Sequence, residues 1–279
     1  MKIAFADTTS TSPAQRVSHP ALTYFALTFT ISWAGAFALV APRLLRGASI
    51  PKFTGLMMFP IMLLGPAAAG LVLTAITEGT PGLRTLWQRM TRLHFPLRWL
   101  ATLLIPPALV LLVLGGLATT ISHLFAPNHF FIGLSFGVVA GFVEEIGWTG
   151  FAFPALVRMR SAFAAAVLLG VLWGLWHIPV VDYLGAATPH GRFWLPYLLA
   201  FIAVMTAIRV LICWIYAHTG SLLLAQLMHA SSTGALVVLS PAVSAGDETL
   251  WYFLYAGVLW CAVAALVAIA GRRLVRSAG

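Results

Sequence analysis

Apolar residues occupy most of the chain in long runs that are separated by short polar or basic connectors. Crossing the hydrocarbon core of a bilayer takes about 20 residues of helix, and eight runs reach or approach that length. They are 21–41, 54–77, 99–124, 130–157, 161–179, 193–217, 221–240 and 250–270. The pattern predicts an all-α polytopic integral membrane protein with about eight transmembrane helices.

The composition agrees with this interpretation. Hydrophobic residues make up 61% of the chain and charged residues 8%, whereas a soluble domain carries about 25% charged residues. Too few charges remain to cover a water-exposed globule. Cys213 and Cys261 both lie inside apolar runs, where a thiol behaves as a small hydrophobic group, so no disulfide framework is expected.

The connectors are too short to form a second folding unit. We predict an N-terminal tail over 1–20, a single transmembrane domain over 21–271, and a basic C-terminal tail over 272–279. The basic segment 82–98 is either an amphipathic helix at the membrane surface or a solvated loop.

Charge is distributed unevenly along the chain. There are 16 Lys and Arg residues against seven acidic residues, which gives a net charge of +9. With eight spans, most of the basic residues fall on the face that also carries both termini. The positive-inside rule then predicts cytoplasmic termini, in the inner membrane if the protein is bacterial. Basic residues do not alternate with aromatic ones, so the expected partner is the lipid bilayer and not nucleic acid.

Glu144 and Glu145 are adjacent carboxylates inside the fourth apolar run. One acidic side chain near the centre of a bilayer helix costs about 2.5–3.5 kcal/mol, so a pair of them requires partners or a function. The other ionisable residues well inside the runs are His177 in the fifth, Arg209 in the sixth and His229 in the seventh.

Helix geometry allows these residues to form one site. Glu144 and Glu145 point about 100° apart on a helix, which predicts different roles for the two carboxylates. His229 and Thr233 are four residues apart and therefore lie on one helix face. At about 1.5 Å per residue the buried groups have comparable depths in the membrane, so helices four to seven, over 130–240, form the predicted catalytic core.

A buried carboxylate beside an imidazole suits hydrolysis of an amide by water. The carboxylate takes a proton from water, the imidazole orients that water, and donors such as His229 and Thr233 stabilise the oxyanion. The same residue types also fit a catalytic zinc ion, with Glu144, His177 and His229 as ligands. The HExxH signature is absent, so spacing does not choose between no cofactor and a single zinc ion.

Three strings in this core, EEIGWTGFAFPAL, WGLWHIP and LLLAQLMHASST, resemble in order and spacing the motifs of the CPBP family of intramembrane proteases. That family includes the CAAX prenyl endopeptidases of the Rce1 type and bacterial Abi-like proteins. The matching positions are Glu144 with Glu145, Trp173 with His177, and His229 with Thr233.

The resemblance implies a membrane-embedded endopeptidase of about eight helices. Glu144 and His177 would activate water, and His229 with Thr233 would stabilise the oxyanion. The implied substrate is a prenylated or otherwise membrane-anchored peptide or protein, cut near its C-terminus.

The chain departs from the family pattern at two positions. Thr149 stands where the family has an arginine, and Thr233 stands where it has an asparagine. Thr233 can still donate one hydrogen bond. Glu145 loses its expected cation, and we hypothesise that Arg209 supplies it, because two unpaired charges at similar depth are each costly and satisfy one another as a pair.

Two other classes of function are considered beside the endopeptidase. The departures at Thr149 and Thr233 suit a catalytically silent membrane protein that acts in immunity or binds a partner. Buried Glu, His and Arg residues also serve transporters and proton relays, although the chain shows no inverted repeat of the kind many transporters have.

Overall fold

A computed structural model describes residues 17–48, 50–51, 54–183 and 190–270. The predicted N-terminal tail lies outside these ranges except for its last four residues. The predicted C-terminal tail over 272–279 lies wholly outside them.

The described ranges fold into α-helices joined by short turns, and they contain no strand, which confirms the all-α prediction. The helices are α1 (Pro20–Leu44), α2 (Thr54–Met90), α3 (Arg98–Ala101), α4 (Ile105–Thr120), α5 (Gly133–Gly147), α6 (Phe153–Val157), α7 (Ala162–Trp176), α8 (Trp194–Thr219), α9 (Leu222–Leu239) and α10 (Ala245–Ala270).

Seven helical stretches within the described residues are long and apolar enough to cross a membrane. They are Pro20–Leu44, Met57–Met90, Arg98–Thr120, Gly133–Val157, Gly191–Thr219, Leu222–Leu239 and Ala245–Ile269. The predicted count of eight is not confirmed. The fifth predicted span, 161–179, contains only the 15-residue helix α7, which at about 1.5 Å per residue is shorter than the hydrocarbon core.

The helices form a buried centre inside an apolar periphery. In the most apolar stretch of each helix, 78% of the residues are buried in α8 and 72% in α9, but only 28% in α1 and α10. The peripheral helices expose large apolar side chains such as Leu22 and Phe253. An apolar outer surface around a buried polar centre is the arrangement that a bilayer favours.

Small residues bring α5 and α9 into close contact. A Cβ atom at Gly137 would meet the backbone of Ala230 and Gly234, and one at Gly141 would meet the backbone of Gln226 and Ala230. Glycines spaced by four residues let membrane helices approach closely. The acidic end of α5 is thereby held against α9.

A break at Gly79 divides α2. Its φ of 65° and ψ of −158° belong to a region of backbone conformation that is nearly restricted to glycine. The predicted span 54–77 ends just before this break. The predicted basic segment 82–98 is helical as far as Met90 and irregular over 91–97.

Candidate active site

Glu144 and Glu145 lie at the C-terminal end of α5, and their side chains are almost completely buried, with 1% and 0% exposed. The helix passes at this point into a π-helical turn over Trp148–Ala152. Such turns often occur at functional sites. The two carboxylates have different partners, as their angular separation on the helix predicts.

Two indole groups hold the Glu144 carboxylate. Its Oε2 accepts a hydrogen bond from Nε1 of Trp148 at 3.1 Å and another from Nε1 of Trp173 at 2.8 Å. Its Oε1 accepts none from any residue that the structure describes. The carboxylate is therefore oriented by one oxygen, and the other oxygen is left for a further ligand.

Glu145 is the centre of a buried charged network. Nη1 of Arg209 lies 2.8 Å from each of its carboxylate oxygens. Thr149 donates a hydrogen bond to Oε2, and Nδ1 of His229 lies 2.7 Å from Oε1. All four side chains are buried. Arg209 thus reaches Glu145 as the charge argument required, and Thr149 contributes a hydroxyl where the family motif has an arginine.

Trp173 lies between the groups that contact Glu144 and those that contact Glu145. Its Nε1 bonds Glu144, while the guanidinium carbon of Arg209 lies 4.2 Å from the centroid of its ring. The ring centroid of His229 is 4.9 Å away and that of His177 is 5.4 Å away, both edge-on. Displacing this one side chain would disturb Glu144, Arg209 and both histidines.

His177 follows α7, where Nδ1 lies 2.8 Å from the backbone oxygen of Trp173. A carbonyl oxygen only accepts, so Nδ1 carries the proton and Nε2 of a neutral ring presents its lone pair. The ring packs edge-on against Trp176 and Phe201. The sequence predicted that Glu144 and His177 act together on a water molecule. Within the described residues no hydrogen bond joins the two side chains directly, and Oε2 of Glu144 bonds the two indoles.

His229 is directed towards Glu145 and not towards Thr233. The Thr233 hydroxyl is partly exposed and makes no hydrogen bond within the described residues. The two residues share a helix face as predicted, but they do not form a bonded pair. Because Nδ1 of His229 is held by Glu145, Nε2 is the ring nitrogen that remains for a ligand.

The described residues contain no group of three His, Cys, Asp or Glu side chains that could hold a metal ion. Glu144, His177 and His229 each keep one donor atom without a described protein partner, namely Oε1 and the two Nε2 atoms. The three side chains considered as ligands from the sequence are nevertheless not grouped as a metal site in this arrangement.

Sequence reasoning missed Trp148 and Phe201 as members of the site, and it identified Thr149 only as a departure from the family motif. Trp148 follows Glu144 by four residues and Thr149 follows Glu145 by four, so helical spacing would have found both. Phe201, which packs against His177, comes from α8. No sequence signal marks it, because its role depends on how α7 and α8 pack.

The part of the chain that contains this site is similar to known proteins. Residues 126–235 match the family model described as type II CAAX prenyl endopeptidase, Rce1-like. The chain is also similar to CAAX prenyl protease 2 of Methanococcus maripaludis, with 43% identity over 44 residues. That alignment covers 16% of each chain, so the chain matches about a sixth of the length of this curated relative.

The fold and the site define an integral membrane protein with a buried polar centre. Residues 126–235 form an Rce1-like domain of the CPBP family. This range includes both glutamates, both histidines, Trp173, Arg209 and Thr233.

Proposed function

We propose that the protein is an intramembrane endopeptidase that hydrolyses a peptide bond in a lipid-associated peptide or protein, with Glu144 as the base. The observation that carries the proposal is the Glu144 carboxylate. It is buried, it is fixed through Oε2 by two indoles, and its Oε1 accepts no hydrogen bond from the described side chains. A preorganised carboxylate of this kind is suited to take a proton from water.

The reaction follows from that placement. Oε1 of Glu144 takes a proton from water as the water oxygen bonds to the carbonyl carbon of the scissile peptide. The tetrahedral intermediate then collapses, the C–N bond breaks, and Glu144 returns the proton to the leaving amine. Protons and electron pairs balance without any additional reactant.

His177 orients the attacking water. The hydrogen bond from Nδ1 to the Trp173 backbone oxygen leaves Nε2 as an acceptor. An acceptor at that position can receive the second hydrogen of the water while Glu144 removes the first. This role requires a neutral His177.

His229 stabilises the oxyanion. The Glu145 carboxylate accepts from Nδ1 of His229, so Nε2 is the ring nitrogen left for the oxyanion, to which it donates when the ring carries both protons. Arg209 and Thr149 hold Glu145 in place from the other side. The Thr233 hydroxyl is the second donor, in place of the asparagine amide of the family motif. Losing one such donor typically lowers a rate by about 10²–10³.

The substrate is a membrane-associated peptide, and a prenylated C-terminal peptide fits best. The Rce1-like domain supports this choice, and so does the position of the site among helices with apolar outer surfaces. The distribution of basic residues across eight spans predicts cytoplasmic termini, and the seven candidate spans of the described residues do not confirm that count.

The test uses the purified full chain in lipid vesicles with a farnesylated peptide that ends in a CAAX sequence. The products are identified by mass spectrometry. Glu144→Gln is the test variant and Glu78→Gln the control, because Glu78 is 41% exposed and forms a surface ion pair with Arg158 at 3.8 Å. We expect cleavage by the wild type and the control and none above background by Glu144→Gln.

Two results would contradict the proposal. Equal cleavage by Glu144→Gln would remove Glu144 as the base. No cleavage by the wild type, across farnesylated, geranylgeranylated and unlipidated peptides, would favour the catalytically silent alternative.

A further inference from the structure

Helix α1 carries three buried hydroxyl groups outside the Rce1-like domain, of which that of Ser32 donates to the backbone oxygen of Met62. The other two belong to Tyr24 and Thr28. Tyr24 and Thr28 are four residues apart, so they lie on the same face one turn apart, and both side chains have 0% exposure. Neither residue belongs to a motif. Nothing in the mechanism above uses them.

Tyr24 extends to the acidic end of α5. A Cβ atom placed at Gly147 would meet the Tyr24 hydroxyl, which shows that the hydroxyl lies against this stretch of backbone. Gly147 follows Glu144 by three residues and therefore shares its helix face. The Tyr24 ring also packs edge-on against Trp148, with centroids 5.6 Å apart. Trp148 is one of the two indoles that bond Glu144.

The hydroxyls of Tyr24 and Thr28 face one another, and neither has a hydrogen-bond partner at normal distance among the described residues. The charged groups within electrostatic reach of the Tyr24 hydroxyl are Arg209, Glu145 and Glu144. Of these, Glu144 has a carboxylate oxygen, Oε1, that accepts no hydrogen bond from a described side chain. A buried polar group left unpaired costs about 1–3 kcal/mol, so hydroxyls with unused hydrogen-bonding capacity near such an oxygen point to a bound ligand.

Water has the right chemistry for this position. A buried water makes about three hydrogen bonds to polar groups that would otherwise be unsatisfied. It can accept a hydrogen bond from the Tyr24 hydroxyl, which Thr28 supports, and donate one hydrogen to Oε1 of Glu144. Its second hydrogen then remains for Nε2 of His177. An apolar ligand would leave Oε1 unpaired.

We propose that Tyr24 and Thr28 bind a water molecule against Oε1 of Glu144, so that α1 supplies the binding site for the water that attacks the substrate. The step in which this water attacks the substrate rests on the proposed function. The binding site itself is a property of the resting protein.

The chain provides a matched control for the tyrosine. Tyr255 on α10 is also fully buried, and its hydroxyl also lacks a partner among the described residues. Tyr24→Phe and Tyr255→Phe each remove one buried hydroxyl and keep the ring. Only the first is expected to affect a water at Glu144.

The experiment measures two quantities on the full chain in lipid nanodiscs. One is the cleavage rate of the farnesylated peptide. The other is the apparent unfolding temperature, measured for Tyr24→Phe and Tyr255→Phe in the wild-type and in the Glu144→Ala background. We expect Tyr24→Phe to slow cleavage about 10- to 100-fold, since a misplaced reactant costs rates of that order. Tyr255→Phe is expected to leave the rate unchanged.

The unfolding temperatures test the site without any activity. If Tyr24 and Glu144 share a water, Tyr24→Phe lowers the unfolding temperature of the wild type by about 2–4 °C and has a smaller effect when Glu144 is already alanine. Tyr255→Phe has equal effects in both backgrounds. Thr28→Val repeats the comparison with a second hydroxyl.

The inference is overturned if Tyr24→Phe has the same thermal effect in both backgrounds. It is also overturned if the wild type cleaves the peptide and Tyr24→Phe cleaves it equally fast. If the wild type does not cleave, the proposed function fails, and the thermal cycle still decides whether the water site exists.

Discussion

Nδ1 of His229 lies 2.7 Å from Oε1 of Glu145, although the two residues are 84 positions apart in the chain. This contact joins α9 to α5 at the centre of the membrane domain. It also fixes the chemistry of the histidine, because an imidazole held by a carboxylate through one nitrogen presents the other nitrogen to a ligand. Several measurable consequences follow from the network around this pair.

Breaking the ion pair between Arg209 and Glu145 should strongly destabilise the protein. We expect Arg209→Met and Glu145→Gln each to cost about 3–5 kcal/mol, since either change leaves an uncompensated charge or polar group in a buried site. The double variant should lose less than the sum of the two. Thermal unfolding in nanodiscs measures all three variants.

The surface pair Arg158 and Glu78 is the control for the ion pair, with side chains 68% and 41% exposed. Arg158→Met should cost about 0–1 kcal/mol, as exposed pairs do. Additive losses at Arg209 and Glu145 would show that the two charges are energetically independent.

Removing the indole N–H of Trp173 should impair catalysis more than binding. Trp173→Phe keeps an aromatic ring beneath Arg209 but removes the donor to Glu144. We expect kcat to fall about tenfold or more with KM nearly unchanged, because the affected bond orients the base.

Trp251→Phe controls for the volume lost at Trp173. Trp251 is fully buried, and its Nε1 has no partner among the described groups. Its replacement should leave kcat at the wild-type value. If Trp173→Phe behaved in the same way, the indole would have no orienting role.

Thr149 is expected to act through its hydroxyl. Thr149→Val removes the hydrogen bond to Glu145 with little change of shape and should cost about 1–3 kcal/mol. Thr149→Ser keeps the donor and should recover most of that loss. Equal unfolding temperatures for the valine and serine variants would contradict this role.

Close packing of α5 against α9 should depend on Gly141. A Cβ atom there would meet the backbone of α9, so Gly141→Ala should separate the two helices, lower the unfolding temperature and reduce cleavage. Gly115→Ala on α4 places a Cβ in open space. It should be neutral or stabilise the helix by up to about 1 kcal/mol.

A metal ion is not expected to be needed for cleavage, because the described residues contain no group of three His, Cys, Asp or Glu side chains placed to hold one. Dialysis against a chelator should leave the rate unchanged, and elemental analysis of the pure protein should find less than one zinc per chain. A stoichiometric zinc that disappears in Glu144→Ala and His229→Ala would establish the metal-dependent alternative.

Much of the site follows from local features of the sequence. Apolar runs of about 20 residues predict membrane helices because a bilayer allows few other structures. An unpaired charge in a buried position is destabilising. The pairing of Glu145 with Arg209 could therefore be predicted from the sequence, because both residues lie inside apolar runs at similar depth. The spacing of four residues that brings Trp148 to Glu144 and Thr149 to Glu145 is equally visible in the sequence.

The tertiary structure decided which partner each group takes. Glu144 turned to two indoles and not to His177, His229 bonded Glu145 and not Thr233, and Tyr24 came from a helix outside every motif. These contacts join helices that are far apart in sequence, and they depend on how closely backbones approach and how helices rotate about their axes. The helical periodicity of the sequence determines the face of the helix on which a side chain lies. Only the packing of the helices determines what that face meets.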